Sequence, residues 1–184
     1  MQNNLTKKEI DNLYKWGKKY FIKSLYLKEK LKNIKKLKIE HEKIDYLPNE
    51  IFKFTNLESI CMGYDNLEEI PKEIGNLNNL KNFNLTLGKN INKLPKEICN
   101  LINLKELSIY CNNLKSLTNE IEKLTNLESI HIGCENLKQL PKEIHNLIKL
   151  KRFDIDCPNS ENFPDGIAKL INLETIYIIN SMEN

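Results

Sequence analysis

LESICMGYDNLEEIPKEIGNLNN (residues 57–79), LKELSIYCNNLKSLTNEIEKLTN (104–126) and LESIHIGCENLKQLPKEIHNLIK (127–149) are three copies of one pattern. Further copies start at Ile34, Leu80 and Leu150, and a partial one at Leu173. Successive starts lie 23, 23, 24, 23, 23 and 23 residues apart. The shared form is LxxLxIxxxNLxxLPxEIxxLxN. A fixed period of this length marks a stacked-repeat architecture. Within a copy, apolar residues at the first, fourth and sixth positions, such as Leu104, Leu107 and Ile109, alternate as in a half-buried strand. Later positions change period: Ile70, Ile74 and Leu77, or Leu140, Ile144 and Leu147, are spaced i, i+4, i+7 as on one side of a helix. A strand with a short return segment cannot bury its apolar face alone, whereas stacked copies share one continuous core. The strands must then run parallel, about 4.8 Å apart.

The punctuation agrees with this reading. Pro48, Pro71, Pro95, Pro141 and Pro164 share one slot, which suits the first position of a helical turn because proline lacks the N–H that would go unpaired there. Glu50, Glu73, Glu97, Glu120 and Glu143 follow two residues later, where acid favours a helix N-terminus. Asn56, Asn79, Asn103, Asn126 and Asn172 close their copies, and their side-chain amides can satisfy loop backbone groups that no strand pairs.

On these residues the chain resembles the leucine-rich repeat family, in its 23-residue bacterial and intracellular form, over residues 34–180. The resemblance implies an α/β solenoid. A curved parallel sheet would line its concave face, and short helices or helical turns carrying the glutamates would form a solvated convex face. It also implies a non-catalytic protein-interaction module. Three departures stand out. The family's internal asparagine is present only at Asn112, with Asp65, Glu135 and Pro158 in its place elsewhere and asparagine one residue later at Asn66, Asn113, Asn136 and Asn159, so the turn after each strand is expected to bond irregularly. The extra residue near Gly88–Asn90 predicts a local bulge, and DIDCPNSENFP (154–164) lacks the leucine after its strand.

Residues 1–33 are expected to cap the first edge, and 34–184 to form the repeats. Residues 4–21 read as an amphipathic helix started by Asn4 or Thr6. Ile22, Leu25 and Leu27 copy the strand pattern, which predicts a degenerate extra strand. The far end has no comparable cover, so Ile176, Tyr177, Ile178 and Ile179 form a candidate edge for homodimer pairing.

Composition bounds the function. Of 184 residues 40% are hydrophobic and 29% charged, as in ordinary globular domains. No apolar run approaches the roughly 18 residues of a membrane span. The N-terminus lacks the pattern of a cleaved secretory signal, and five irregularly placed cysteines suit a reducing cytoplasm, with export without a cleaved signal as the other option. Of 28 basic residues only Arg152 is arginine, and asparagine and isoleucine abound, a bias that AT-rich codons produce. The net charge of +3 is unevenly spread: residues 1–43 carry 13 lysines against five acids, a net of +8, leaving −5 for the rest. A Lys-rich cap that binds a polyanion, either nucleic acid or an acidic membrane surface, is therefore the alternative function.

Catalytic motifs are missing from the sequence: it has no GxSxG, HExxH, phosphate loop or GxGxxG, and its six glycines are isolated. No enzyme activity, cofactor or small-molecule substrate is expected. Cys111, Cys134 and Cys157 share one slot in consecutive copies, which reads either as a packed row of small apolar side chains or as a metal or redox site with His131 or Cys61. What remains is a surface. Residues alternating with the buried ones face outward. On the concave side Asn84, Glu106, Ser108, Tyr110, His131, Arg152, Asp154 and Tyr177 are the candidate contacts for a protein partner, because tyrosine and arginine recur at interface hot spots. Gly63 and Gly133 leave room beside their neighbours for shallow pockets.

Overall fold

The structure is a computed structural model and describes residues 5–41, 43–160 and 165–179. Each repeat contributes one strand: β1 (Lys36–Glu40), β2 (Ser59–Tyr64), β3 (Asn82–Leu87), β4 (Glu106–Cys111), β5 (Ser129–Gly133), β6 (Arg152–Asp156) and β7 (Thr175–Ile179). They form one parallel sheet in chain order. The register aligns equivalent repeat positions throughout. Leu37, Ile60, Phe83, Leu107, Ile130, Phe153 and Ile176 form one row, and Ile39, Met62, Leu85, Ile109, Ile132, Ile155 and Ile178 another. From β1 to β6 both rows are buried and make the core of the solenoid. The extra residue of the third repeat does not disturb the register, because Leu87 still pairs with Cys111; it is taken up in the Gly88–Asn90 turn beyond the strand.

The return segments are five-residue 3-10 turns, at Asn49–Lys53, Lys72–Asn76, Lys96–Asn100, Asn119–Lys123 and Lys142–Asn146, with another at Asp165–Lys169. An α-helix is about 10 Å across, too wide to stack at a strand spacing of about 4.8 Å without strong splaying, and a tighter single turn stacks more easily. The prolines sit one position earlier than expected, as N-caps. Pro48, Pro71, Pro95 and Pro141 have φ between −59° and −67°, and the carbonyl of each accepts the N–H three residues on, as in Ile74 N–H to Pro71 O at 3.1 Å. Where proline is missing, the Thr118 carbonyl accepts from Ile121 N–H in the same way at 3.2 Å, and the Thr118 hydroxyl also accepts from the Glu120 N–H. Pro164 lies outside the described residues. Glu50, Glu73, Glu97, Glu120 and Glu143 are half-buried rather than fully solvated.

The repeat-closing asparagines form a ladder. The Nδ2 groups of Asn79, Asn103, Asn126 and Asn172 donate to the carbonyls of Thr55, Asn78, Ile102 and Ile148 at 2.8, 2.8, 2.8 and 2.6 Å. Each bond satisfies a loop carbonyl of the preceding repeat. The row after the strands is irregular. Asn113 donates to Lys89 O at 2.5 Å, but Asn136 donates to the Asn113 side chain at 3.0 Å. In the sixth repeat Ser160 takes the slot of Leu114 and Leu137; it is buried, and its hydroxyl donates to Lys138 O at 3.2 Å. On the surface, lysines and glutamates link neighbouring repeats. Glu58, between Lys35 at 2.7 Å and Lys81 at 2.8 Å, is held down near 2 by hydrogen bonds from both ammonium groups.

The N-terminal cap begins with helix α1 (Lys7–Lys19). Thr6 and Glu9 form a capping box, with Thr6 N–H to Glu9 Oε2 at 2.8 Å and Glu9 N–H to Thr6 Oγ1 at 3.3 Å. Asn4 lies outside the described residues. Leu13, Trp16 and Gly17 face the core. Gly17 must be small, since a Cβ there would lie 2.8 Å from Leu25 Cβ. The expected extra strand is absent. Residues 23–25 and 28–33 form two 3-10 turns, which bury Ile22 and Leu25 but leave Leu27 exposed. The apolar spacing 22, 25 suits a turn as well as a strand, and the single copy follows the turn. At the other end all five residues of β7 are exposed.

This register predicts that Leu107→Ala, a buried truncation, lowers stability by about 2–5 kcal/mol, and that Tyr110→Ala, three residues on and facing outward, changes it by less than about 1 kcal/mol. Chemical denaturation of the two variants checks both; the reverse order would mean a register shifted by one residue.

Candidate functional site

The outward positions of β4 to β7 meet in one patch on the concave face. The Tyr110 ring packs on the His131 ring of the next strand, with centroids 4.7 Å apart. It can lie there because position 133 is glycine, where a Cβ would come within 2.9 Å of Tyr110 Cδ1. The room predicted at Gly133 is therefore filled by tyrosine. That at Gly63 opens into a cavity of about 470 Å³ with Glu40, His41, Tyr64, Asp65 and Thr86.

Asp154, expected to be an exposed contact, is instead only 6% exposed. It faces outward but lies beneath its neighbours. Arg152 Nε donates to Asp154 Oδ2 at 2.6 Å, and His131 Nδ1 lies 3.7 Å from the same oxygen. A buried carboxylate needs such partners, and here it anchors them in return. The Arg152 side chain is otherwise well exposed, as are Tyr110 and Tyr177, the register partner of Asp154. The structure thus brings Tyr110, His131, Arg152, Asp154 and Tyr177 together. Glu106 and Ser108 lie on the same strand as Tyr110, and Glu106 accepts from Asn82 Nδ2 at 2.5 Å. Asn84 lies a strand further away, on β3.

Cys111, Cys134 and Cys157 are free, buried and turned inward. Cys111 Sγ donates to Ile91 O at 3.3 Å and Cys157 Sγ contacts Ile132 O at 3.8 Å. Hydrogen bonding to Cys157 and burial push the Cys134 thiol up, and burial pushes Cys99 up to about 12. Cys61, on the concave side, donates to Glu40 Oε1 at 3.1 Å and is pushed up to about 11, chiefly by burial. Cys61, Cys99, Cys111 and Cys134 are thereby held as protonated, weakly nucleophilic thiols, whereas the hydrogen bond from Cys134 lowers Cys157. Among the described residues no group of three or more His, Cys, Asp or Glu side chains is arranged to hold a metal ion.

A further cavity, of about 1080 Å³, has no counterpart among the residues singled out in the sequence. It lies away from the concave patch, between the post-strand segments of the first three repeats, where Leu47, Ile70, Pro71 and Pro95 meet Glu68, Lys72 and Lys96. The recurring Leu-Pro and Ile-Pro pairs mark its walls in the sequence, but nothing in their spacing shows that they part.

A family model described as a leucine-rich repeat region matches residues 89–184. The chain belongs to the leucine-rich repeat family. Among solved structures, the leucine-rich repeat protein LIC12759 of Leptospira interrogans is 26% identical, with a TM-score of 0.60 over 83% of this chain and 45% of that one. The present chain therefore spans less than half the length of that relative. The leucine-rich repeat domain of the type III effector XCV3220 (XopL) is 20% identical, with a TM-score of 0.51 over 79% of this chain and 69% of that one, and bears on the fold alone. No curated protein matches the sequence. Leucine-rich repeats are a common scaffold for protein–protein interaction, and no described helix is long and apolar enough to cross a membrane.

Gly133→Ala should push the Tyr110 ring off His131. In proton NMR the His131 ring signals would then lose the ring-current shift imposed by Tyr110, while the amide spectrum stays folded; unchanged His131 signals would show that the two rings are not packed.

Proposed function

We propose that this leucine-rich repeat protein binds a protein partner, without catalysis, through the C-terminal half of its concave sheet. The observation that supports this most is the cluster of Tyr110, His131, Arg152 and Tyr177, with Arg152 held by the buried Asp154 carboxylate and His131 packed on the Tyr110 ring. Rings and a guanidinium fixed in advance lose little conformational entropy on binding, and these residue types dominate interface energetics. The neighbouring outward residues, Ser108, Ser129 and Asn84, are short and leave the rings accessible. Five free cysteines, four of them buried, suit a reducing cytoplasm.

Affinity capture from a lysate of the source cells tests the binding face. Wild type should retain a protein that a Tyr110→Ala, His131→Ala, Tyr177→Ala triple variant, folded by circular dichroism, loses. Equal retention by both would move the function off this face.

A second contact is supported by β7. Ile176 and Ile178 belong to the core rows, yet Ile176 is 51% exposed, whereas Phe153 beside it is fully buried. Among the described residues nothing pairs with the far edge of β7 or covers its core face, and such a strand favours pairing. The sequence Thr-Ile-Tyr-Ile-Ile is near-symmetric about Tyr177, so antiparallel pairing with a second copy would set Ile176 opposite Ile178 twice over. Light scattering at high protein concentration should show a dimer that Ile178→Lys converts to monomer; a wild-type monomer would refute the pairing.

A further inference from the structure

Helix α1 ends in a way that glycine normally serves. Ile22 N–H bonds back to Gly17 O at 2.8 Å and Phe21 N–H to Lys18 O at 3.4 Å, the paired bonds of a Schellman ending. That ending requires a left-handed residue, and Phe21 supplies it at φ 56°. It is the one non-glycine residue with positive φ among the described residues, and a bulky side chain is strained there. The ring is not used to fill the core, since Phe21 is 73% exposed and lies only loosely parallel to the His41 ring, at 6.4 Å between centroids. Leu27, between the two 3-10 turns, is 54% exposed.

Lysines flank these two apolar residues along the chain. Lys18, Lys23 and Lys28 are all exposed. The Lys18 ammonium lies 4.4 Å from the centroid of Tyr26, and that of Lys28 lies 4.6 Å from the centroid of Tyr14. Two of the cap's acids are already paired, Glu9 with Lys53 and Asp11 with Lys28. Lys18 and Lys23, exposed on either side of Phe21 in the chain, are in no ion pair of this kind among the described residues.

We propose that the cap is a peripheral contact for an anionic lipid bilayer. Phe21 and Leu27 enter the boundary between headgroups and acyl chains, and Lys18 and Lys23 meet the lipid phosphates and carboxylates. Charge complementarity supplies the attraction, and the two exposed apolar side chains supply the insertion. Nucleic acid fits these residues less well. The Tyr14 and Tyr26 rings are covered by ammonium groups, and Leu27 offers a base neither a stacking plane nor a hydrogen bond. The cap lies at the β1 end, so a bilayer there leaves the concave patch of β4 to β7 open, and this contact does not depend on the concave-face reading.

Sedimentation of the full chain with vesicles tests the proposal. Phosphatidylcholine vesicles containing phosphatidylserine should carry the protein down at low salt, and pure phosphatidylcholine vesicles should not. Phe21→Gly should raise the melting temperature, because it relieves the left-handed strain, and yet weaken vesicle binding by about tenfold through loss of the buried ring. Leu27→Ser, which leaves the helix ending intact, should also weaken it. Lys18→Gln and Lys23→Gln should each weaken it by about fivefold, and Tyr110→Ala should leave it unchanged. Vesicle binding that Phe21→Gly and Leu27→Ser leave at wild-type strength would overturn the proposal. So would wild-type protein that ignores phosphatidylserine, or that binds poly(U) RNA more tightly than the vesicles at the same salt.

Discussion

Every part of this molecule answers to the distance between neighbouring parallel strands. Strands hydrogen-bond only at about 4.8 Å, so each repeat must leave the sheet, turn and re-enter one spacing further on. That demand fixes the class of residue at each position of the period. The rows through Leu107 and Ile109 must be apolar in every copy because each side chain packs on the copies before and after it. The return must be narrow, and 3-10 turns capped by proline meet that need. Loop carbonyls that no strand can pair need another donor, and the asparagine ladder from Asn79 to Asn172 provides it. An inserted residue is tolerated only where no strand neighbour is affected, which is where the third repeat places its own, after Leu87.

The same spacing builds the concave patch. Side chains in one outward row stand a strand apart, close enough for ring to meet ring and for carboxylate to meet guanidinium. Tyr110 reaches His131 because Gly133 yields the space, and the buried Asp154 accepts from Arg152, two residues earlier on its own strand, with His131 of the adjacent strand 3.7 Å away. The patch is a mosaic in which each repeat contributes its own tiles, so one outward residue can change without disturbing the core rows behind it.

This explains what could be read from the sequence and what could not. Strand positions, register, core rows and the asparagine ladder recur, so seven copies average out the noise of any one. The inward turn of Cys111, Cys134 and Cys157 follows from the same alternation. Features that occur once have no such support. The segment from Ile22 to Leu27 carries apolar residues at spacings that a strand and a pair of turns both satisfy, and only its packing against α1 selects the turns. The burial of Asp154 depends on the lengths and directions of Arg152 and His131, which alternation does not encode. The positive φ of Phe21 leaves no trace in composition, because the residue that usually marks it, glycine, is absent.

A stack of parallel strands necessarily has two unlike ends, and here they are treated differently. At the first end α1 and two 3-10 turns close the core with Leu13, Trp16, Ile22 and Leu25. They also place an excess of lysines and a strained aromatic on the outside of that closure. At the last end β7 continues the core rows as Ile176 and Ile178, but no described element covers them. Since a repeat contacts only its neighbours, what happens at one end is not felt at the other except through the number of repeats between them. The cap at the β1 end is therefore a surface apart from the concave patch and the β7 edge, which meet each other at Tyr177.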